Sequence, residues 1–193
     1  MSFDDQVRWD KQHAQTHGEE RPSSFLRQIL ETHSWQLSRG SALDIAAGKG
    51  RNAIYLAERG FAVVAVDISR VALDVAQANA KQKHLHIEFQ QLDLEQSGFP
   101  EGGYDLIVNI NYLQRSLIPR IKAALTVGGH IIFETYLIDQ QRLGHPKNPS
   151  YLLAHNELLD SFRDFRVLYY REGKLSDSGE PSFRAGILAQ KIR

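Results

Sequence analysis

The chain has 193 residues, and its 23 Lys and Arg residues balance its 23 Asp and Glu residues, so its formal net charge is zero. That balance gives no indication of an electrostatic platform for DNA, RNA or an anionic membrane, and no apolar run is long enough to span a bilayer. Cysteine is absent, which excludes disulfides, cysteine metal sites and a cysteine nucleophile. We therefore expect a cytoplasmic protein with one core and with neither a nucleic-acid nor a membrane partner.

Two helical patterns precede the first strand. One runs from about Phe3 to His17 and the other from about Pro22 to His33, where a proline suits the first helical turn. The apolar stripe of the second helix consists of Phe25, Leu26, Ile29 and Leu30. We expect a single domain in which residues 1–38 form a helical cover and residues 39–193 form the core.

A strand, a small-residue turn and a helix follow these helical patterns. The turn contains Gly48 and Gly50, and such a turn lets backbone N–H groups approach a ligand closely. The second strand, Phe61 to Val66, leads to Asp67, which lies 19 residues after Gly48. A carboxylate at that position is suited to accept hydrogen bonds from ribose hydroxyls.

The glycine spacing is compatible with two kinds of cofactor. Gly48-x-Gly50-x-x-Ala53 satisfies the dinucleotide pattern, which includes nicotinamide cofactors. Asp44 favours a different ligand, because a carboxylate at the end of the first strand would repel a pyrophosphate and attract an ammonium group. A ligand with ribose hydroxyls and a cationic amino-acid end is S-adenosyl-L-methionine. A nicotinamide-dependent oxidoreductase and a non-catalytic, cofactor-binding partner subunit remain as alternatives.

Strands and helices continue to alternate along the rest of the chain. A helix capped by Ser69 leads to the third strand, and a helix with Pro119 in its first turn leads to the fifth. Glycine and proline between residues 173 and 181 indicate a terminal hairpin, so we expect the last pair of strands to be antiparallel. We place the later strands at Leu85–Gln91, Tyr104–Val108, His130–Tyr136, Phe165–Arg171 and Phe183–Gln190.

Polar residues lie at the carboxyl ends of strands four and five. Asn109, Asn111, Tyr112 and Arg115 follow strand four, and Glu134 lies near the end of strand five. Open α/β sheets bind ligands at these ends, so we expect the acceptor there. The segment from Leu137 to Leu153 is long and irregular, which is typical of a functional cover.

The segment Asp44-Ile45-Ala46-Ala47-Gly48-Lys49-Gly50 resembles the first motif of the class I S-adenosylmethionine-dependent methyltransferases, with Ala46 in place of the first glycine. The segment from Leu125 to His130 resembles the motif that precedes strand five in the same superfamily. The resemblance implies a Rossmann-like α/β fold with N-terminal helices and a doubly wound, mostly parallel seven-stranded sheet. It also implies the strand order 3-2-1-4-5-7-6, with the last strand antiparallel.

A narrower resemblance is to the tellurite-resistance-type group of small-molecule methyltransferases. Residues 43–57, 61–69, 170–175 and 183–185 carry it. That group has a His-Arg pair in the last hairpin, where this chain has Ser and Asp at positions 176 and 177. The resemblance implies direct, in-line methyl transfer from S-adenosyl-L-methionine to a small molecule, with an anionic or chalcogen acceptor as a candidate.

The family motifs also imply the residues that hold the cofactor. By this resemblance Asp67 holds the ribose hydroxyls, Asp44 the methionine ammonium group, and Asp93 with Leu94 the adenine. The further cofactor-binding candidates are Ala46, Gly48, Gly50, Asn52, Ile68 and Asn109.

The acceptor side has its own candidates, which are Tyr112, Arg115, Glu134 and Arg184. Arg115 and Arg184 suit an anionic acceptor, and Glu134 or Tyr112 could act as a general base. We expect no metal, because the pairs His13/His17 and His84/His86 lack an evident third ligand.

Overall fold

The computed structural model describes residues 3–15, 21–33, 37, 39–96, 98–176 and 180–193. Its helices are α1 (Phe3–Gln15), α2 (Ser24–Thr32), α3 (Arg51–Ala57), α4 (Arg70–Gln82), α5 (Ile118–Ala124) and α6 (Glu157–Ser161). Its strands are β1 (Ser41–Ile45), β2 (Ala62–Asp67), β3 (Ile87–Gln91), β4 (Tyr104–Ile110), β5 (Leu125–Tyr136), β6 (Arg166–Leu175) and β7 (Ser182–Gln190). None of the helices in these ranges is long and apolar enough to cross a membrane.

The strands form one seven-stranded sheet in the order β3-β2-β1-β4-β5-β7-β6. Strands β1 to β5 pair in parallel, and β7 pairs antiparallel with both β5 and β6. This arrangement confirms the predicted fold, including the terminal hairpin. Because the inner strands are apolar along most of their length, both faces of the sheet need a cover.

The helices provide that cover and create two core clusters. Within β1, Leu43 and Ile45 belong to one cluster and Ala42 belongs to the other, as the alternation of a strand requires. The first cluster also contains residues of α5 and α6, and the second contains residues of α2 and α3. The predicted stripe of α2 is fully confirmed, with Phe25, Leu26, Ile29 and Leu30 all buried.

Helix α1 packs against the start of α4. The Ser69 hydroxyl donates to the Asp10 carboxylate, while the Ser69 Oγ accepts a bond from the Ala72 backbone N–H as the predicted helix cap. The C-terminal part of the first predicted helix, including His17, lies outside the described residues.

Several strand boundaries differ from the prediction by one or more residues, and three of the larger differences have a visible cause. Strand β3 begins later, at Ile87, because His84 takes a left-handed turn conformation. Strand β5 begins earlier, at Leu125, because Leu125 already pairs with Tyr104 of β4 and the glycines that follow bond to the backbone of Lys191. Strand β6 continues to Leu175, since it pairs with β7 along its whole length.

Candidate active site

The carboxyl ends of β1, β2, β4 and β5 meet at one edge of the sheet. The parallel register places Ile45 beside Asn109, and Ile110 beside Glu134. Residues far apart in sequence, among them Asp44, Asp67 and Glu134, are therefore brought to the same edge.

The glycine turn after β1 is fixed to the tip of β2 by Asp67. The Gly48 backbone N–H donates to Oδ2 of Asp67 over 2.8 Å, and the Ser69 backbone N–H donates to Oδ1 over the same distance. Gly48 has φ 54° and Ala46 has φ 52°, so both take left-handed backbone conformations. A carboxylate offers about four lone-pair sites to hydrogen-bond donors, and these two backbone contacts fix how the Asp67 carboxylate is oriented at the tip of β2.

Gly50 serves the packing of the turn against α4, and its role in the close approach of a ligand stays a prediction. Its φ is +78°, and a Cβ added there would lie 2.8 Å from the Cβ of Ala76 in α4. Since real Cβ atoms do not approach so closely, glycine is required here for the turn to pack against α4.

Asp44 is a buried carboxyl with an unsatisfied oxygen. Its side chain is 1% exposed, and its Oδ2 has no hydrogen-bond partner among the described residues. Burial raises the pKa of this carboxyl to about 7, against the opposing effects of the Ala53 backbone N–H and the charge of Arg51. A buried acceptor of this kind fits a cationic group of a ligand, which would restore the lost solvation.

Two other cofactor candidates, Asn109 and Asn52, have different surroundings. One lies at the carboxyl edge of the sheet and the other joins two helices. Asn109 is buried and its Oδ1 has no partner within the described part of the chain. Asn52 instead accepts a hydrogen bond from the Ser23 backbone N–H over 2.9 Å and thereby joins α3 to α2, so we assign it to the scaffold.

The candidates near β3 have visible scaffold contacts too. Oδ1 of Asp93 accepts a bond from the Glu95 backbone N–H, which caps the turn after β3. Leu94 packs in the first core cluster, and the carbonyl oxygen of Ile68 accepts a bond from the Gln91 side chain. The adenine role of Asp93 with Leu94 stays a prediction.

Two arginines from the terminal hairpin pair with Glu134. The Nη2 of Arg171 lies 2.6 Å from Oε1, and the Nη1 of Arg184 lies 3.5 Å from Oε2. Side-chain exposure is only 3% for Glu134, 13% for Arg171 and 12% for Arg184. Arg184 also donates to Oδ1 of Asn111 over 2.6 Å and stacks on the ring of Tyr136. The carboxylate is thus engaged as the counter-ion that holds both guanidinium groups in place.

These arginines line a pocket of about 1050 Å³. Its charged lining consists of Arg21, Arg27, Arg51, Arg171, Arg184, Glu134 and Glu180. Of these residues only Arg184 and Glu134 were predicted from the sequence. Arg171 faces Gly186 across the hairpin, two residues from Arg184, so the strand register would have indicated it.

Arg115 is not among the residues that line this pocket, and its place on the acceptor side stays a prediction. Its guanidinium pairs in bidentate fashion with Glu157, over 2.6 and 2.9 Å, and donates to the carbonyl oxygens of Ser150 and Leu152. Tyr112 is also absent from the pocket lining and packs against the first core cluster. Arg115 therefore fixes the end of the predicted cover segment.

The cover segment is folded back on itself at the pocket border. Leu137 and Leu153 form an isolated parallel bridge, which closes its two ends together. Gln140 accepts a hydrogen bond from the Phe183 backbone N–H and donates to the carbonyl oxygen of His145. Gln140 and His145 both line the pocket, so the segment forms one of its walls.

Comparison with known proteins agrees with this geometry. A model of the methyltransferase domain family matches residues 42–129. This part of the chain, a little under half of its length, is therefore similar to a methyltransferase domain. Among curated relatives, the chain is 27% identical over 169 residues to the "Probable S-adenosyl-L-methionine-dependent methyltransferase TehB" of Haemophilus influenzae, covering 80% of this chain and 58% of TehB. It is also 27% identical over 138 residues to a ubiquinone biosynthesis O-methyltransferase of Acinetobacter baylyi, covering 66% of this chain and 56% of that relative.

The fold comparison leads to the same group. The crystal structure of TehB from Haemophilus influenzae superposes with a TM-score of 0.75 at 23% identity, covering 95% of this chain and 67% of that one. The chain is thus similar to TehB in sequence and in fold, which confirms the predicted resemblance. The chain spans a little over half the length of the two curated relatives.

Proposed function

We propose that this chain transfers the methyl group of S-adenosyl-L-methionine to a small-molecule acceptor. The observation that carries the proposal is the buried Oδ2 of Asp44, which has no partner among the described residues and lies at the end of β1. An ammonium group would satisfy this oxygen, whereas a pyrophosphate would be repelled by it.

The residues at the sheet edge divide the ligand between them. Asp44 takes the ammonium group, and Asp67 at the tip of β2 takes the ribose hydroxyls. Asp93 with Leu94 takes the adenine, and Oδ1 of Asn109 adds a buried acceptor close to Asp44 in the sheet register. Helix α1 covers the start of α4 through the contact of Asp10 with Ser69, two residues after Asp67.

The pocket beside this edge holds the acceptor. S-adenosyl-L-methionine supplies a methyl group on a sulfonium, and its sulfur leaves as a neutral thioether with the electron pair of the broken bond. The chain aligns the acceptor for in-line attack and excludes water. Arg184 and Arg171 hold an anionic acceptor atom, which needs no general base. Glu134 is a positioning residue in this scheme, because it is engaged in both ion pairs.

The test is methyl transfer with labelled S-adenosyl-L-methionine and a set of small organic and inorganic anions. We expect label in at least one acceptor together with stoichiometric S-adenosylhomocysteine, and loss of both in Asp44→Ala. Binding of S-adenosylhomocysteine without transfer to any acceptor would contradict the catalytic role and favour a cofactor-binding partner subunit.

A further inference from the structure

The acceptor pocket carries a net positive charge, although the formal net charge of the whole chain is zero. Five arginines and two glutamates line it, which leaves three positive charges, whereas the formal net charge of the chain is zero. A sulfonium in the neighbouring cofactor site would add a further positive charge. Coulomb repulsion in this pocket is therefore relieved by a ligand with more than one negative charge.

The pocket is also larger than an inorganic oxyanion requires. Its volume is about 1050 Å³. An oxyanion with three or four oxygens takes up roughly the volume of four water molecules, about 120 Å³. Pockets of roughly 300–1000 Å³ hold organic ligands of many atoms. The space therefore fits an organic molecule better than an oxyanion.

Four of the five arginines form two groups on different elements, and the fifth, Arg51, begins α3. The inner arginines, Arg171 and Arg184, belong to the hairpin strands β6 and β7 and flank Glu134. Nη2 of Arg184 makes no hydrogen bond to any described residue, so it can donate to a ligand. The outer arginines, Arg21 and Arg27, lie before and within α2, are exposed, and make no side-chain hydrogen bond within the described ranges.

Gln28 connects the two groups. Its Oε1 accepts a hydrogen bond from Nη1 of Arg171 over 3.1 Å, and it follows Arg27 directly in α2. The inner and outer arginines therefore border one continuous pocket, rather than two separate ones.

We infer that the acceptor is an organic molecule with two separated anionic groups, one held by the inner arginines and the other by the outer arginines. This inference rests on the proposed function and adds the class of substrate. Guanidinium groups bind carboxylate or phosphate through paired donors, so each arginine group suits one anionic end.

The test is titration calorimetry on the full chain saturated with S-adenosylhomocysteine. The probes are the dicarboxylates succinate, glutarate, adipate and suberate, with hexanoate as a single-anion organic control and sulfate as an inorganic control. We expect one dicarboxylate to bind at least about tenfold more tightly than hexanoate and sulfate, as a second arginine–carboxylate contact predicts. Arg27→Gln and Arg21→Gln should each reduce this preference.

Arg120→Gln is the matched control, because Arg120 is an exposed arginine of α5 outside the pocket lining, and it should preserve the preference. Equal affinity for sulfate and for every dicarboxylate would overturn the inference, as would a preference that Arg27→Gln and Arg21→Gln leave intact. If S-adenosylhomocysteine itself does not bind, the proposed function fails. If it binds and only the dicarboxylate preference is missing, this inference alone fails.

Discussion

The carboxyl of Asp44 illustrates how a single buried residue can be costly to the free protein and useful to a complex. Burial raises its pKa from the ordinary 3.8 to about 7, so the folded chain holds a proton there that the unfolded chain releases. A group with a raised folded pKa stabilises the fold only at low pH, and the benefit disappears as the pH rises through the folded value. For Asp44, the loss of this benefit lowers the free energy of unfolding by about 4 kcal/mol between pH 4 and pH 8.

Asp44→Asn should therefore stabilise the ligand-free protein at pH 8. The amide keeps the shape without the charge but has its own desolvation cost, so we expect a gain of about 1–3 kcal/mol at pH 8 and little or none near pH 4. Urea unfolding at the two pH values measures this difference. Equal stability of the variant and the parent chain at pH 8 would show that Asp44 is not ionised in a buried site.

The same carboxyl predicts a pH dependence of cofactor affinity. Only the ionised form attracts an ammonium group, so affinity for S-adenosylhomocysteine should fall about tenfold from pH 8 to pH 6. Asp44→Asn should bind more weakly and without this pH dependence. A parent chain whose affinity is constant over this range would remove the ammonium contact from Asp44.

Arg184 and Arg115 were predicted for one role and have different surroundings. Arg184 lines the pocket, whereas Arg115 is bound to Glu157 and to two backbone carbonyls. Arg184→Gln should raise the KM for an anionic acceptor about tenfold or more, since a charge-assisted contact is lost. Arg115→Gln should lower the melting temperature and change this KM little. Steady-state kinetics and thermal unfolding of both variants distinguish the two roles. A larger increase in KM for Arg115→Gln than for Arg184→Gln would contradict this assignment.

At the level of elements, the contact between the glycine turn and α4 depends on Gly50. Gly50→Ala should lower the free energy of unfolding by about 2–4 kcal/mol, because alanine would have to adopt a left-handed backbone conformation and its Cβ would crowd Ala76. Gly144→Ala is the control, because a Cβ there meets no atom within 4 Å. In an Ala76→Gly background the cost of Gly50→Ala should be smaller, and denaturant unfolding of the four chains measures it. An identical cost in both backgrounds would show that Ala76 is not the opposing group.

The elements themselves were largely predictable, because local chemistry determines them. The cap of α4 at Ser69, the stripe of α2 and the apolar inner strands all follow from short-range patterns. The bidentate pairing of Arg115 with Glu157 was not predictable, since the two residues are 42 positions apart and only the folded chain brings them together. Four of the five pocket arginines were missed for the same reason, because an arginine next to a turn or in a strand looks like any surface arginine.

At the scale of the whole molecule, α2 connects the two halves of the site. The Ser23 backbone N–H donates to Asn52 at the start of α3, next to the glycine turn, and Gln28 accepts from Arg171 at the acceptor pocket. The helix is almost fully buried along its apolar stripe, so these contacts have a rigid base. The glycine turn and the arginine-lined pocket are therefore joined through one helix.

The central claim is that the carboxyl edge of the sheet binds S-adenosyl-L-methionine. Titration calorimetry of the chain with S-adenosyl-L-methionine and with NAD, side by side at pH 8, tests it. We predict one-to-one binding of S-adenosyl-L-methionine, a loss of about tenfold or more in Asp44→Ala, and no detectable binding of NAD. Binding of NAD in the absence of S-adenosyl-L-methionine binding would contradict the account and favour a nicotinamide-dependent oxidoreductase.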